Sequence, residues 1–424
     1  MQNTTHLLKA RRFLPLFVTQ ALGAFNDSLY KQAVVLFVTY QVYSDAAKEA
    51  QFSAIAQGLF ILPFFLLSAL AGQLADHRDK AKLIRIVKMA EVAIMIFGGL
   101  GLVLENIPLM LAGILAMGVH STFFGPIKYA ILPQHLNNDE VLGGTGLVEA
   151  GTYLAILLGT IAAGFVAYDA TLAAVSVIGF AVLGLLAGRQ VPPAPPATVG
   201  EPLDFHILRS SIKLVSATMH IRRLFLAILS ISFFWTIGAV LIIVFPPLVK
   251  NVLGANEQVA SLFIAIFSVG IAIGSVLVNR LLKSEVSARY SPASVIIMAG
   301  FVLLLHFVAS SWDNHGITEL STLSGFLAHP LSYLMVIALL GVAVAGGCFV
   351  VPLYAFLTTT VPKDETARTI AANNIVNSGA MVVGSVLTFG LTAMGFTSTT
   401  LLLLIAAMCV VSAWLAWLLH KACD

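Results

Sequence analysis

Charge is scarce in this chain. Of its 424 residues only 10% are Asp, Glu, Lys or Arg, while 59% are hydrophobic, and the mean hydropathy is +0.95. A soluble domain carries about 25% charged residues, so too few are present to cover a water-facing surface. Cysteine is equally sparse. Cys348, Cys409 and Cys423 stand in unrelated positions and suggest neither a disulfide framework nor a metal site. No G-x-x-x-x-G-K-[ST] stretch occurs, which excludes a P-loop ATPase. No cofactor, metal or nucleic-acid partner is expected. The net charge of +3 is informative only through its distribution.

Long apolar runs are abundant instead, each of about 20 residues and able to cross about 30 Å of hydrocarbon. Twelve are read, near 13–40, 52–75, 84–104, 107–132, 142–167, 170–188, 222–249, 257–282, 293–310, 331–360, 367–394 and 397–419. The fold class is therefore all-α, a polytopic membrane protein. The first run is too long for a cleavable signal peptide and has no small-residue cleavage site. An even number of spans places both termini on one side. Of the 23 Lys and Arg, 19 fall on that side; only Lys48 and Lys250 fall on the other, and Lys31 and Lys128 lie inside runs. This bias predicts cytoplasmic termini.

The longest polar break is RQVPPAPPATVGEPLDFHILRSSIKLVSATMHIRR, residues 189–223. Its proline-rich part reads as a linker. Its second part sets Leu203, Ile207, Leu208, Ile212, Leu214, Val215 and Met219 against Arg209, Lys213 and Arg223. That stripe fits a helix on the membrane surface, and a plain tether fits as well. The expected organisation is a six-helix bundle over 1–188, a cytoplasmic linker over 189–221 and a second six-helix bundle over 222–424. The halves echo each other, GPIKYAILPQHLNNDE (125–140) in VPLYAFLTTTVPKDE (351–365). Repeated halves of this kind build many secondary transporters, with substrate bound at midplane between them.

Polar residues inside the runs are the candidate site. A charge in hydrocarbon costs about 2.5–3.5 kcal/mol even on lenient scales, so each one calls for a reason. In GAFNDSLYK (23–31), Asp27 and Lys31 lie four apart on one helical face, acid first, the better order for a pair. They either neutralise each other or place Asp27 against a cation or proton, with Asn26 beside it. Lys128 lies close enough to its span's end to snorkel. Glu149 is deeper and could pair with Lys128. Glu91 lies within its span and is assigned no partner. His120 and His306 read as packing or interhelical hydrogen-bonding residues. Asn373, Asn374 and Asn377 either line a cavity or join helices. Gly143, Gly144, Gly146, Gly151 and Gly159 read as close-packing positions.

The loop GQLADHRDKAK (72–82) resembles the Gly-x-Leu-Ala-Asp signature of the major facilitator superfamily, which latches the cytoplasmic gate. Gly72 would allow close packing and Asp76 would face a helix N-terminus or a base, with Arg78 and Lys80 as the basic partners. The copy departs at His77 and Asp79, where the superfamily usually has Arg and Gly. A basic loop serving only topology fits the same residues.

Further along, LGAFNDSLYK, GPIKYAILP, TGLVEAGTYLAILLGT, SFFWTIGA and GGCFVVPLYAFL resemble the bacterial lysophospholipid transporters of that superfamily, over nearly the whole chain. The resemblance fits either a stand-alone transporter or the transporter portion of a transporter–acyltransferase fusion. It implies twelve transmembrane helices in two six-helix pseudo-repeats. It also implies a secondary transporter rather than an enzyme, moving lysophosphatidylethanolamine-type lipids from the outer to the inner leaflet of the bacterial inner membrane. A cytoplasmic acyltransferase would then restore the second chain. Asp27, Lys128 and Glu149 match the family's intramembrane charges, with Asn26, Lys31, Trp235, Asn374 and Asn377 as further substrate-binding candidates. The chain departs at Ile242, seven residues after Trp235, where stand-alone members carry an arginine. Two rivals share these features: a proton-coupled exporter of drugs or small metabolites, and a membrane scaffold for the acyltransferase.

Overall fold

The computed structural model describes residues 4–137, 140–195, 206–282, 289–313, 319–359 and 366–423. The first half holds α1 (Leu14–Phe37), α2 (Ala46–His77), α3 (Lys80–Val103), α4 (Ile107–Ala130), short α5 (Leu132–His135), α6 (Val141–Val166) and α7 (Ala170–Gly188). Next come α8 (Ile207–Met219), α9 (Arg222–Asn251), α10 (Glu257–Leu281) and α11 (Ser291–Ser310). Short α12 (Leu323–Ala328), α13 (Ser332–Thr359), α14 (Thr366–Ala393) and α15 (Ser398–Cys423) complete the chain.

Twelve of these are long helices and fall on the twelve expected runs. Ten are long and apolar enough to cross a membrane; the others are α1, with its polar centre, and α6, whose apolar part is Ala150–Val166. The only β pairing among the described residues is an isolated bridge between Ala255 and Ser321. In hydrocarbon every backbone polar group needs an internal partner, which a helix supplies within itself. Where helices start, short polar side chains cap the free amides. Asp79 accepts from the Ala81 and Lys82 amides at 2.9 and 3.1 Å, Asn106 from Leu109 at 3.0 Å, and Asp169 from Thr171 at 2.8 Å.

The chain divides into two compact units, Met1–Phe37 with Leu62–Ser210, and Val38–Ile61 with Ser211–Asp424. This differs from the organisation expected from the sequence at residues 38–61, which group with the second unit. The reason is a buried clasp. α1 ends in a π-helical turn, Val38–Val42, and the Lys250 ammonium donates to the Thr39 carbonyl, to the Tyr43 carbonyl at 2.6 Å and to Glu49 at 2.6 Å. Asn251 donates to the other Glu49 oxygen. Glu49 itself is fully buried.

Within the first unit, glycines bring backbones together. A Cβ at Gly159 would collide with the Phe25 carbonyl, and those at Gly98 and Gly113 with the Tyr30 hydroxyl, which donates to the Met110 carbonyl at 3.1 Å. Gly144 and Gly151 are likewise filled against Leu136 and Phe17. In the second unit Gly274 meets the Val344 carbonyl and Gly347 that of Ile271. Small residues at such crossings are what membrane helices use for close approach. Gly72 is a correction: among the described residues a Cβ there meets nothing within 4 Å.

Candidate functional site

The first unit holds a charge cluster on α1, α3 and α4, buried except at Asp27. Lys88 and Glu91, three residues apart on α3, meet at 2.6 Å with neither side chain exposed. The other Glu91 oxygen accepts from the Asn26 amide at 3.0 Å. His120 Nε2 lies 3.3 Å from Glu91, and its Nδ1 lies 4.0 Å from Asp27. Ser121 donates to Asp27 through its hydroxyl, which stands 3.4 Å from His120 Nδ1. Phe124 closes the cluster, its ring stacked on His120 and lying 5.0 Å beneath the Lys88 ammonium. Removing one member of such a buried pair costs about 3–5 kcal/mol, because the survivor has no water to turn to.

Lys88 enters this cluster past Gly23, where a Cβ would stand 2.6 Å from its Nζ. Lys88, one of the 19 Lys and Arg counted on the side of the termini, is a span residue inside α3. The sequence left Glu91 without a partner; His120, read as a packing or interhelical hydrogen-bonding residue, meets Glu91 across helices. The signal was present in the Lys-x-x-Glu spacing at 88–91 inside an apolar run. His306 is as expected, bonding the Thr399 carbonyl through Nδ1 at 2.8 Å.

The remaining candidates fall in separate places. Asp27 keeps 17% side-chain exposure, while Asn26 is fully buried. Lys31 lies one turn along α1 and feels the Asp27 charge. Lys128 donates to the Thr152 hydroxyl at 3.2 Å and lies over the Tyr129 ring, and Thr152 in turn donates to Gln20 at 2.7 Å. The side chains of Glu149 and Asp76 lie outside the described residues, as do Gly143 and Gly146.

At the α2–α3 loop the helix cap is Asp79, the departure from the loop signature. Arg78 is exposed, whereas Lys80 is buried with its amide on the Ala194 carbonyl at 2.9 Å. The start of the linker is thus fastened to α3. Nearby, Glu140 accepts from the Asn137 amide at 2.9 Å and from Arg12 at 2.7 Å. These donors hold its carboxyl down to about 2.

The second unit carries a separate polar group. The Trp235 indole donates to the Tyr354 hydroxyl at 2.8 Å, and the Asn377 amide donates to the same hydroxyl at 3.3 Å. Ser232 donates to the Asn377 carbonyl oxygen at 2.7 Å. Asn374 is exposed; Asn373 is fully buried with no hydrogen bond to either amide atom among the described residues. Position 242 is the apolar Ile242.

A Major Facilitator Superfamily profile matches residues 13–318. The chain belongs to this superfamily. As a superfamily member it is a multi-pass secondary transporter, not an enzyme. Its relatives include the lysophospholipid transporter LplT of Cronobacter sakazakii, 26% identical over 389 residues, which is 90% of this chain and 89% of that protein. LplT of Salmonella newport is 26% identical over 380 residues, 88% of this chain and 86% of that one. Among solved structures, a bacterial homologue of the lysosomal transporter Spinster superposes with TM-score 0.70 at 12% identity, covering 99% of this chain and 98% of that one. A D-xylose–proton symporter superposes with TM-score 0.68 at 14% identity, covering 95% and 96%. These two superpositions establish the superfamily fold for the described helices.

Proposed function

We propose that the chain is a lysophospholipid flippase. It moves lysophosphatidylethanolamine-type lipids from the outer to the inner leaflet of a bacterial inner membrane, with both termini in the cytoplasm. The observation that carries this reading is the likeness to LplT along 90% of the chain, with Asp27 and Lys128 both inside spans of the first half. A lysophosphatidylethanolamine headgroup offers an ammonium and a phosphate, and a carboxylate and a lysine answer them in turn. Asp27 takes the ammonium and Lys128 the phosphate, with Lys31 and Glu149 adjusting the local charge. Asn26, spent on Glu91, holds the carboxylates in place. In the second half Trp235, Asn374 and Asn377 supply neutral polar contacts, and Ile242 leaves that side apolar for the acyl chain.

Gly72, Asp76, Arg78 and Lys80 gate the cytoplasmic side. A functionally coupled cytoplasmic acyltransferase consumes the product, because a single-chain lipid accumulating in the inner leaflet requires reacylation. The test is inward movement of labelled lysophosphatidylethanolamine in liposomes holding the purified chain, with diacyl lipid as control. Selective movement that is lost in Asp27→Ala is the expected result. Folded protein that moves no lysolipid overturns the reading and favours a proton-coupled exporter.

A further inference from the structure

Lys128 stands in the last turn of α4, where a lysine can snorkel toward the headgroups on its flexible stem. Its ammonium donates to the Thr152 hydroxyl at 3.2 Å, eleven residues and about 16 Å into α6. The side chain is thus tied inward, into the span.

Three groups meet the Thr152 oxygen: the Lys128 ammonium, the Val148 carbonyl at 2.8 Å and the Gln20 amide oxygen at 2.7 Å. A hydroxyl has one hydrogen and two lone pairs. Its hydrogen serves one of the two carbonyl oxygens, and in both cases a lone pair faces the ammonium. Gln20, on α1, is 2% exposed. It fits there because residue 151 is glycine: a Cβ at Gly151 would stand 2.9 Å from the Gln20 Nε2. That Nε2 is buried with no hydrogen bond. A buried donor without an acceptor costs stability, so stability alone does not account for a glutamine at this point.

The two buried-side lysines of this unit are held in opposite ways. Lys88 is held by Glu91, whose carboxylate cancels its charge. Thr152 and Gln20 hold Lys128 through neutral groups and add no negative charge.

We propose that Thr152 and Gln20 are positioning residues for phosphate recognition. They fix the Lys128 ammonium inside the span for the phosphate that all lysophospholipids share, whatever alcohol it carries. The inference rests on the lysophospholipid reading and deepens it. Gln20 precedes Asp27 on α1 by seven residues, two turns or about 10 Å along one helical face. The phosphate end of the headgroup site is therefore separate from the ammonium end. A defect at Thr152 or Gln20 weakens every lipid that carries the phosphate, whereas a defect at Asp27 weakens only those that carry the ammonium.

Three lipids with the same single acyl chain test this. Lysophosphatidylethanolamine has both groups, lysophosphatidylglycerol keeps the phosphate without the ammonium, and monoacylglycerol has neither. Binding to the full chain in detergent is read from the rise in melting temperature on titration, and KM and maximal rate from movement in liposomes. Wild type should bind both phosphate lipids several-fold more tightly than monoacylglycerol. Thr152→Val, and Gln20→Glu, which sets a carboxylate one hydroxyl away from Lys128, should each raise the binding midpoint and KM for both phosphate lipids several-fold. The maximal rate and the monoacylglycerol midpoint should stay near wild type, and Thr152→Ser should restore phosphate binding. Unchanged phosphate preference in Thr152→Val and Gln20→Glu overturns the inference and leaves the lysophospholipid reading in place. Equal weakening of all three lipids, with Thr152→Ser as impaired as Thr152→Val, overturns it as well, since the contacts are then structural. Wild type that binds monoacylglycerol as tightly as the phosphate lipids overturns the lysophospholipid reading itself, and the inference with it.

Discussion

The Lys88 ammonium meets the Glu91 carboxylate at 2.6 Å inside α3, with both side chains fully buried. Each charge is tolerated only because of the other. Lys88→Met should therefore cost about 3–5 kcal/mol, since Glu91 stays behind unpaired. Adding Glu91→Met should recover part of that loss, the remainder reflecting the donors of Asn26 and His120. Thermal unfolding in detergent of the two single variants and the double variant measures the coupling. Additive losses would mean that the pair is not a unit.

Glu140 gives the chain an acid-sensitive tie between its N-terminal segment and the start of α6. Its carboxyl is held down to about 2, against an ordinary value of 4.5, by the Asn137 amide first and then by the Arg12 and His6 side chains. The folded state therefore binds this proton less readily than the unfolded one. The stabilisation is complete above about pH 4.5 and disappears as the pH falls toward 2. Glu140→Gln should lower the melting temperature at neutral pH and leave it level with wild type at the acid end. A constant difference across the window would show that the carboxylate charge is not what stabilises.

Glycine substitutions separate close packing from open surface. Gly159→Val drives a side chain into the Phe25 backbone and should cost about 1–3 kcal/mol or more, as overpacking does. Gly72→Ala meets nothing within 4 Å and should change stability by about 0.5 kcal/mol at most. Yield and melting temperature in detergent check both. A Gly72→Ala defect confined to transport would support the gating role of that loop.

Lys250 stands at a point where three acceptors converge, and Glu49 has no exposed atoms from which to find another donor. Lys250→Met should release the π-helical end of α1 and cost about 3–5 kcal/mol. Hydrogen exchange at residues 38–50 is the direct readout, with protection expected to fall there before it falls in α13. Unchanged protection would mean that apolar packing alone holds the segment.

The sequence by itself determined the membrane class, the twelve helices and the superfamily. Hydropathy is a property of contiguous residues, and hydrocarbon permits a lone apolar segment only the helix. It also identified Asp27, because a carboxylate in an apolar run stands out without any neighbour. The tertiary structure alone decided what each charge does. His120 lies 29 residues after Glu91 and 93 after Asp27 in the numbering, and no local pattern says that α1, α3 and α4 bring the three together. Lys88 reaches Glu91 past Gly23, which lies 65 positions earlier in the chain. Residues 38–61 join the second unit because Lys250, two hundred residues away, takes the carbonyls that the end of α1 leaves free. Pairing across helices depends on how backbones approach, and that is fixed by glycine contacts the linear order does not display.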